Sequence, residues 1–230
     1  MRPRLLDLFC GAGGAAMGYH RAGFDVVGVD IHTQPRYPFE FHQADALLWP
    51  LDQEEWPIRF DAVHASPPCQ AHTALRTMPT AKKHPNLIPA TRRLLKEIGL
   101  PYVIENVPGA PLRKPGILCG TMFGLGVADG YLRRHRLFET NWPLSCPTCA
   151  HPNRMAITVT GTGQAVGSRR CVNVWGHPGG QSRRSRVKLF TSAECREAMG
   201  IDWMLHYELV QSIPPAYTEF IGKQLLAVLR

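Results

Sequence analysis

Two short segments carry side chains suited to covalent chemistry. Ser66-Pro67-Pro68-Cys69-Gln70 presents a thiol directly after two prolines. The prolines fix the backbone and remove two N–H donors, so the chain leaves regular structure there. A cysteine, once ionised, is the most nucleophilic common side chain. Glu105-Asn106-Val107 supplies a carboxyl, and a buried carboxyl beside a thiol serves as an acid or a hydrogen-bond partner. A lone cysteine reads first as an inert packing residue. The Ser-Pro-Pro frame and the Glu-Asn-Val segment shift the weight to a nucleophile.

A third segment, Asp7-Leu8-Phe9-Cys10-Gly11-Ala12-Gly13-Gly14, reads as a strand running into a glycine turn. Glycines let the backbone approach a ligand with no Cβ in the way. Asp30 lies 19 residues after Gly11, the separation of an acid that binds ribose hydroxyls. Asp45 follows a loop that brings it to an adenine edge. Gly11-x-Gly13-x-x-Ala16 also fits a dinucleotide fingerprint, so a nicotinamide enzyme stays open at this point.

The elements that must position these residues follow from the apolar pattern. Arg4–Phe9, Asp25–Ile31, Phe60–Ala65 and Pro101–Val107 read as strands. Helices are expected from the glycine turn to about Arg21, over Leu87–Gly99, from a Thr191-x-x-Glu194 capping box to Met199, and over Pro215–Leu229. Strands alternating with helices predict an α/β fold built on a doubly wound, mostly parallel sheet. Cys69 and Glu105 would then share the carboxyl edge, where such folds bind ligands. Residues 140–186 differ in texture: Gly, Pro, Ser and Arg dominate, with β-like pieces at Ala156–Thr160 and Val172–Trp175. This predicts a catalytic domain of 1–139 plus 187–230 with a small irregular or β-rich insert at 140–186.

Charge separates along the same line. The chain of 230 residues has a formal net charge of +8. Residues 133–188 hold ten Lys/Arg against a single acid, Glu139, while the remainder is nearly balanced. Such segregation fits a polyanionic partner better than a general solubilising surface. No run of 18 apolar residues occurs, so no membrane span is expected. Seven scattered cysteines and the lack of an apolar leader fit a cytoplasmic protein.

The ordered set DLFCGAGG, SPPCQ, ENV, RRHR and QSIPPAY resembles the DNA (cytosine-5) methyltransferase family over residues 4–139 and 187–230. The resemblance implies a Rossmann-like methyltransferase fold, S-adenosylmethionine as cofactor and double-stranded DNA as partner of a monomer. It implies that Phe9, Gly11 and Gly13 hold the cofactor, with Asp30 on the ribose, Asp45 on the adenine and Ser212 as a further contact. Cys69 becomes the nucleophile, Glu105 contacts ring nitrogen 3 of the base, Arg136 touches the cytosine and Arg134 a phosphate. The family's leading glutamine is replaced by Leu132, and its Gly-Asn-Ser-Val by Val210-Gln211-Ser212-Ile213. The insert stands where family members read their target, with Arg169, Arg170, Arg183 and Arg184 as nucleic-acid contacts.

Such chemistry acts on a base swung out of the helix. The polar, basic stretch Ala71–Asn86 is therefore expected to be a mobile loop that closes on it. The reaction needs no metal. Cys146-Pro-Thr-Cys149-Ala-His151 nevertheless raises a structural zinc, completed by Cys171 or His177. Cys10, Cys119 and Cys195 read as packing residues. The rival functions are an RNA (tRNA) cytosine-5 methyltransferase, a catalytically inactive DNA-binding homologue and, on the glycine turn alone, an NAD-linked oxidoreductase.

Overall fold

The computed structural model describes residues 1–49, 60–72, 84–128, 130–152 and 190–230, together with the backbone of two short strands at 156–158 and 171–173. The central sheet has seven strands. They are β1 (Arg4–Leu8), β2 (Asp25–Asp30), β3 (Glu40–Gln43), β4 (Ala62–Ala65), β5 (Tyr102–Asn106), β6 (Gly116–Leu118) and, later in the chain, β9 (Arg136–Thr140). Their spatial order is β3-β2-β1-β4-β5-β9-β6. The first five run parallel, whereas β9 runs antiparallel to both β5 and β6. The chain winds outward in one direction from β1 through β2 and β3, and in the other through β4 and β5. The crevice beyond the carboxyl ends of β1 and β4 is thus the switch point of the sheet, where open α/β folds bind ligands.

Alternating side chains of β1 feed two cores. Leu5 faces α1 (Gly14–Ala22) and α5 (Pro215–Val228), packing with Tyr19, Phe24, Tyr217 and Ile221. Leu6 and Leu8 face α2 (Ile88–Ile98), packing with Val63, Leu94, Leu95 and Ile104. Near-continuous apolar strands are what a parallel sheet covered on both faces requires. Each buried Leu or Ile side chain contributes about 1.5–3 kcal/mol of transfer free energy. The predicted strands and helices all occur, with ends within two residues of those expected.

Helices α1 and α5 touch closely. A Cβ on Gly18 would lie 2.1 Å from the Pro215 carbonyl oxygen, so only glycine allows this approach. Thr218 Oγ1 donates to the Ala15 carbonyl at 2.8 Å across the same contact. On the other face, Arg92 of α2 makes a buried two-pronged bond to Glu139 of β9, at 2.6 and 2.7 Å. That pair ties the antiparallel edge of the sheet to its helical layer.

A second sheet of four short strands stands beside the first, in the order β11-β10-β8-β7. It comprises β7 (Gly126–Val127), β8 (Gly130–Leu132), β10 (Ala156–Thr158) and β11 (Cys171–Asn173). The two β-like pieces expected in the insert are therefore strands, and β10 pairs in parallel with β8, which lies before the insert. The third core cluster packs α3 (Ser192–Met199) against Leu132, Phe190 and Leu209. Leu209 belongs to α4 (His206–Gln211), a helix the sequence reading does not anticipate. Thr191 caps α3 in a complete capping box with Glu194, as its spacing predicts. Among the described residues no helix is long and apolar enough to cross a membrane.

Candidate active site

The turn after β1 is held in a strained form. Phe9 adopts φ 57°, Gly11 50° and Gly13 87°. A left-handed backbone at a bulky residue costs about 1–3 kcal/mol and persists where its surroundings over-determine it. Here Cys10 N donates to the Val29 carbonyl at 3.2 Å, Gly11 N to Asp30 Oδ2 at 3.0 Å, and Trp203 Nε1 to the Ala12 carbonyl at 2.9 Å. Gly14 opens α1 against the C-terminal segment. A Cβ there would meet the Ile213 carbonyl oxygen at 2.6 Å.

The segment after β4 is fixed from both sides. Ser66 N donates to the Leu8 carbonyl at 3.1 Å, and Asn106 Nδ2 donates to the Pro67 carbonyl at 2.8 Å. The imidazole of His64 bridges Tyr19 OH at 3.0 Å and Ser66 Oγ at 2.9 Å. Complete burial pushes His64 down to about 3, so the bridge is neutral and one nitrogen must accept. Asn106 therefore supports the proline turn that presents Cys69, which is half-buried.

Glu105 at the end of β5 and Arg136 at the start of β9 meet across the ladder, with Arg136 Nε 3.1 Å from Glu105 Oε1. Burial pushes the Glu105 carboxyl above its usual value, opposed by Arg136, by a hydrogen bond from Ser66 and by Arg134. Burial likewise raises the Cys69 thiol. Arg136 draws it back down and Glu105 pushes it up. The arginine thus acts electrostatically on both groups.

Phe9, Gly11, Asp30, Cys69, Glu105, Arg136 and Ser212 all line one cavity of about 560 Å³ at the switch point. This volume lies within the usual range for small-molecule and cofactor sites. Three residues predicted for the site stand elsewhere. Gly13 is the N-cap of α1 and does not itself line the cavity, although its neighbours Ala12 and Gly14 do. Asp45 is exposed, and its Oδ1 accepts from Leu47 N at 2.8 Å. Arg134, expected on a phosphate, is only 2% exposed. Its guanidinium donates to the carbonyls of Val210 (2.8 Å) and Ser212, so it faces the backbone of α4 and its C-cap rather than an open surface. Arg169, Arg170, Arg183 and Arg184, and residues 73–83 of the expected mobile loop 71–86, lie outside the described residues.

The cavity also holds groups the sequence reading leaves unassigned. Asp7 is fully buried and lines it, and both carboxyl oxygens lack a hydrogen-bond partner among the described residues. A charged residue inside an otherwise apolar strand, RLLDLF, is the signal that could have marked it. At the rim, Arg36 makes a two-pronged bond to Glu208 at 2.7 and 2.8 Å and donates to Tyr207 OH at 2.8 Å. This clasp joins the β2–β3 connection to α4.

Residues 3–116 match the C-5 cytosine-specific DNA methylase family. The chain belongs to that family. The matched span holds the glycine turn, Cys69 and Glu105. The methylase fold is also found in solved structures of low identity. A prophage-encoded E. coli protein assigned as a DNA modification methyltransferase aligns with a TM-score of 0.63 at 17% identity, covering 99% of both chains. The S. pombe Dnmt2 methyltransferase aligns at 0.62 and 14%, over the whole of both. The Entamoeba histolytica methyltransferase EhMeth aligns at 0.60 and 13%, over 100% of this chain and 99% of its own. No curated protein matches the chain in sequence.

Membership implies S-adenosylmethionine as methyl donor. The residues present fit it. The cavity ends on the orphaned Asp7 carboxyl, a group suited to a positively charged ligand, and Asp30 stands beside the glycine turn with its carboxylate aligned by the amides of Gly11 and His32.

Proposed function

We propose that this chain transfers a methyl group to carbon 5 of cytosine in double-stranded DNA, with Cys69 as the nucleophile. The single observation that carries the proposal is the convergence of Cys69, Glu105 and Arg136 in the cavity that also contains the glycine turn. A thiol, a carboxyl with raised proton affinity and a guanidinium are the groups this addition chemistry requires.

The S-adenosylmethionine bound at Phe9, Gly11, Asp30 and Ser212 supplies the electrophilic methyl group. Asp7 is the group available to its positive charge. Asp45, exposed at the end of the β3 connection, is the acid available to an adenine edge.

Carbon 5 of cytosine is a weak nucleophile. Addition of the Cys69 thiolate to carbon 6 gives the ring enamine character and activates carbon 5; after methyl transfer a base takes the carbon 5 proton, and the bond from carbon 6 to Cys69 breaks to release the thiolate. Glu105, whose carboxyl burial pushes above its usual value, delivers a proton to ring nitrogen 3 and stabilises the charge that develops there. Arg136 holds Glu105 in place through the 3.1 Å pair and favours the thiolate. The base must leave the helix to reach this pocket. The basic segment 140–186, with Arg169, Arg170, Arg183 and Arg184, supplies the phosphate and base contacts that hold the duplex. Arg134 is buried, and its Nη2 donates to the carbonyls of Val210 and Ser212, so its role in this reading is to position the segment that ends at Ser212 rather than to hold a phosphate.

A duplex oligonucleotide carrying fluorine at carbon 5 of its cytosines tests the reading. Fluorine cannot leave as a proton does, so the adduct is trapped after methyl transfer. The expected product is a protein–DNA conjugate, stable to denaturant, whose peptide map places the link at Cys69. Donor binding without any conjugate, or a link at another cysteine, would contradict the mechanism.

A further inference from the structure

Away from the cavity, four side chains from three separate stretches of chain converge. Cys119 follows β6, His135 lies between Arg134 and Arg136, and Cys149 and His151 follow β9. Their ligand atoms all lie within 4.8 Å of one another. Cys149 Sγ is 3.1 Å from His151 Nε2 and 3.4 Å from His135 Nε2, and Cys119 Sγ is 3.5 Å from His151 Nε2. Zinc bonded to sulfur at about 2.3 Å and to nitrogen at about 2.0–2.1 Å in a tetrahedron sets sulfur and nitrogen about 3.5 Å apart. The observed separations are close to that edge.

We propose that Cys119, His135, Cys149 and His151 form a structural zinc site that fastens the root of the basic insert to the catalytic domain. Two thiolates and two imidazoles in a tetrahedron select zinc over harder cations such as magnesium or calcium. All four positions are taken by protein, which makes the site structural rather than catalytic. Its outer shell is in place as well. Thr121 Oγ1 lies 3.8 Å from Cys149 Sγ, and the ring of Tyr131 on β8 stacks on His151 at 6.1 Å.

The location gives the metal a role. His135 separates the two buried arginines, and Arg136 Nη1 donates to the His135 carbonyl at 2.8 Å. Fixing His135 therefore fixes the approach of Arg136 to Glu105. Cys149 and His151 begin the stretch that leads into β10, so the same ion anchors the insert where it leaves the main sheet. The site differs from the set that the spacing alone suggested. Cys146 packs instead beside Leu144 over Gly116, whose added Cβ would lie 2.6 Å from its sulfur. The side chains of Cys171 and His177 lie outside the described residues. Cys119, read from sequence as a packing residue, is a ligand.

Metal content of the full chain, purified without a histidine tag or strong chelator, tests the proposal. About one zinc per chain is expected, retained by Cys146→Ser and lost from Cys149→Ser and His151→Ala. Cobalt exchanged into the wild type should show the visible bands of a tetrahedral ion and a thiolate charge-transfer band, both absent from Cys149→Ser. The cobalt spectrum keeps the test sound where a variant folds poorly, since it is read on the wild type. A folded wild type with neither zinc nor a tetrahedral cobalt spectrum would overturn the site. So would a Cys119–Cys149 disulfide in that metal-free protein, or zinc lost on Cys146→Ser but kept on Cys149→Ser.

Discussion

Arg136 Nε lies 3.1 Å from Glu105 Oε1, with both side chains below 10% exposed, and the same guanidinium lowers the proton affinity of Cys69. Removing one partner of a buried pair leaves the other uncompensated. Arg136→Met should therefore raise both the Cys69 thiol and the Glu105 carboxyl. The rising limb of the pH profile of kcat/KM, which follows thiolate formation, should move to higher pH. At neutral pH the rate should fall on the order of 10²-fold. A reduced rate with an unmoved limb would show that Arg136 does not act on the thiol.

Asp7 should show opposite effects on stability and binding. Burial first, then Asp30 and Glu105, push its carboxyl well above the usual value. The folded protein keeps a proton that the unfolded chain releases at about pH 4. The stability Asp7 contributes is therefore full below that pH and is lost as pH rises towards the folded value. Asp7→Asn should match the wild type in acid and melt higher at neutral pH, gaining about 2–4 °C for each kcal/mol recovered. Calorimetric titration of the same variant should show weaker binding of S-adenosylmethionine.

Arg92 and Glu139 carry a purely structural prediction. Burial alone would raise the Glu139 carboxyl, but the bonds from Arg92 and from Arg113 N outweigh it and hold the group low. Its stabilisation is present above the unfolded carboxylate range and is lost as pH falls through the depressed folded value. Arg92→Met should destabilise by about 3–5 kcal/mol, read by denaturant unfolding at neutral pH. Adding Glu139→Gln should recover part of that loss. A single-variant loss below about 1 kcal/mol would mean that the pair behaves as a surface bridge.

Gly14 tests how tightly the cavity wall is built. An alanine Cβ would stand 2.6 Å from the Ile213 carbonyl oxygen, which is backbone and cannot swing aside. Gly14→Ala should displace the segment holding Ser212 and weaken donor binding by at least tenfold. Equal affinity in the variant would exclude Ser212 from the donor site.

The groups at the ends of β1, β4 and β5 were legible in the sequence because each follows a short apolar strand into a motif of unusual composition. Strand ends at one edge of a parallel sheet must lie together, so Cys69 and Glu105 could be paired before any coordinates. β9 was missed because Arg133 and Arg134 run into Arg136 at its first position, and a hydropathy reading places all three in solvent. The structure buries the last two by giving Arg134 the carbonyls of Val210 and Ser212, and Arg136 the carboxyl of Glu105. The cluster around Cys119 was hidden for a different reason. Its partner His151 lies 32 residues away, and only the hairpin-like return of β9 beside β6 brings the two together. Local spacing pointed to Cys149 and His151, which belong to the cluster, and also to Cys146, which does not.

The most direct measurement is methyl incorporation. Purified protein is incubated with tritiated S-adenosylmethionine and either unmethylated duplex DNA or tRNA, using the wild type and Cys69→Ala. Label is expected in DNA, recovered as 5-methylcytosine and abolished in Cys69→Ala while donor binding is retained. Label confined to tRNA, or DNA methylation that survives in Cys69→Ala, would contradict it.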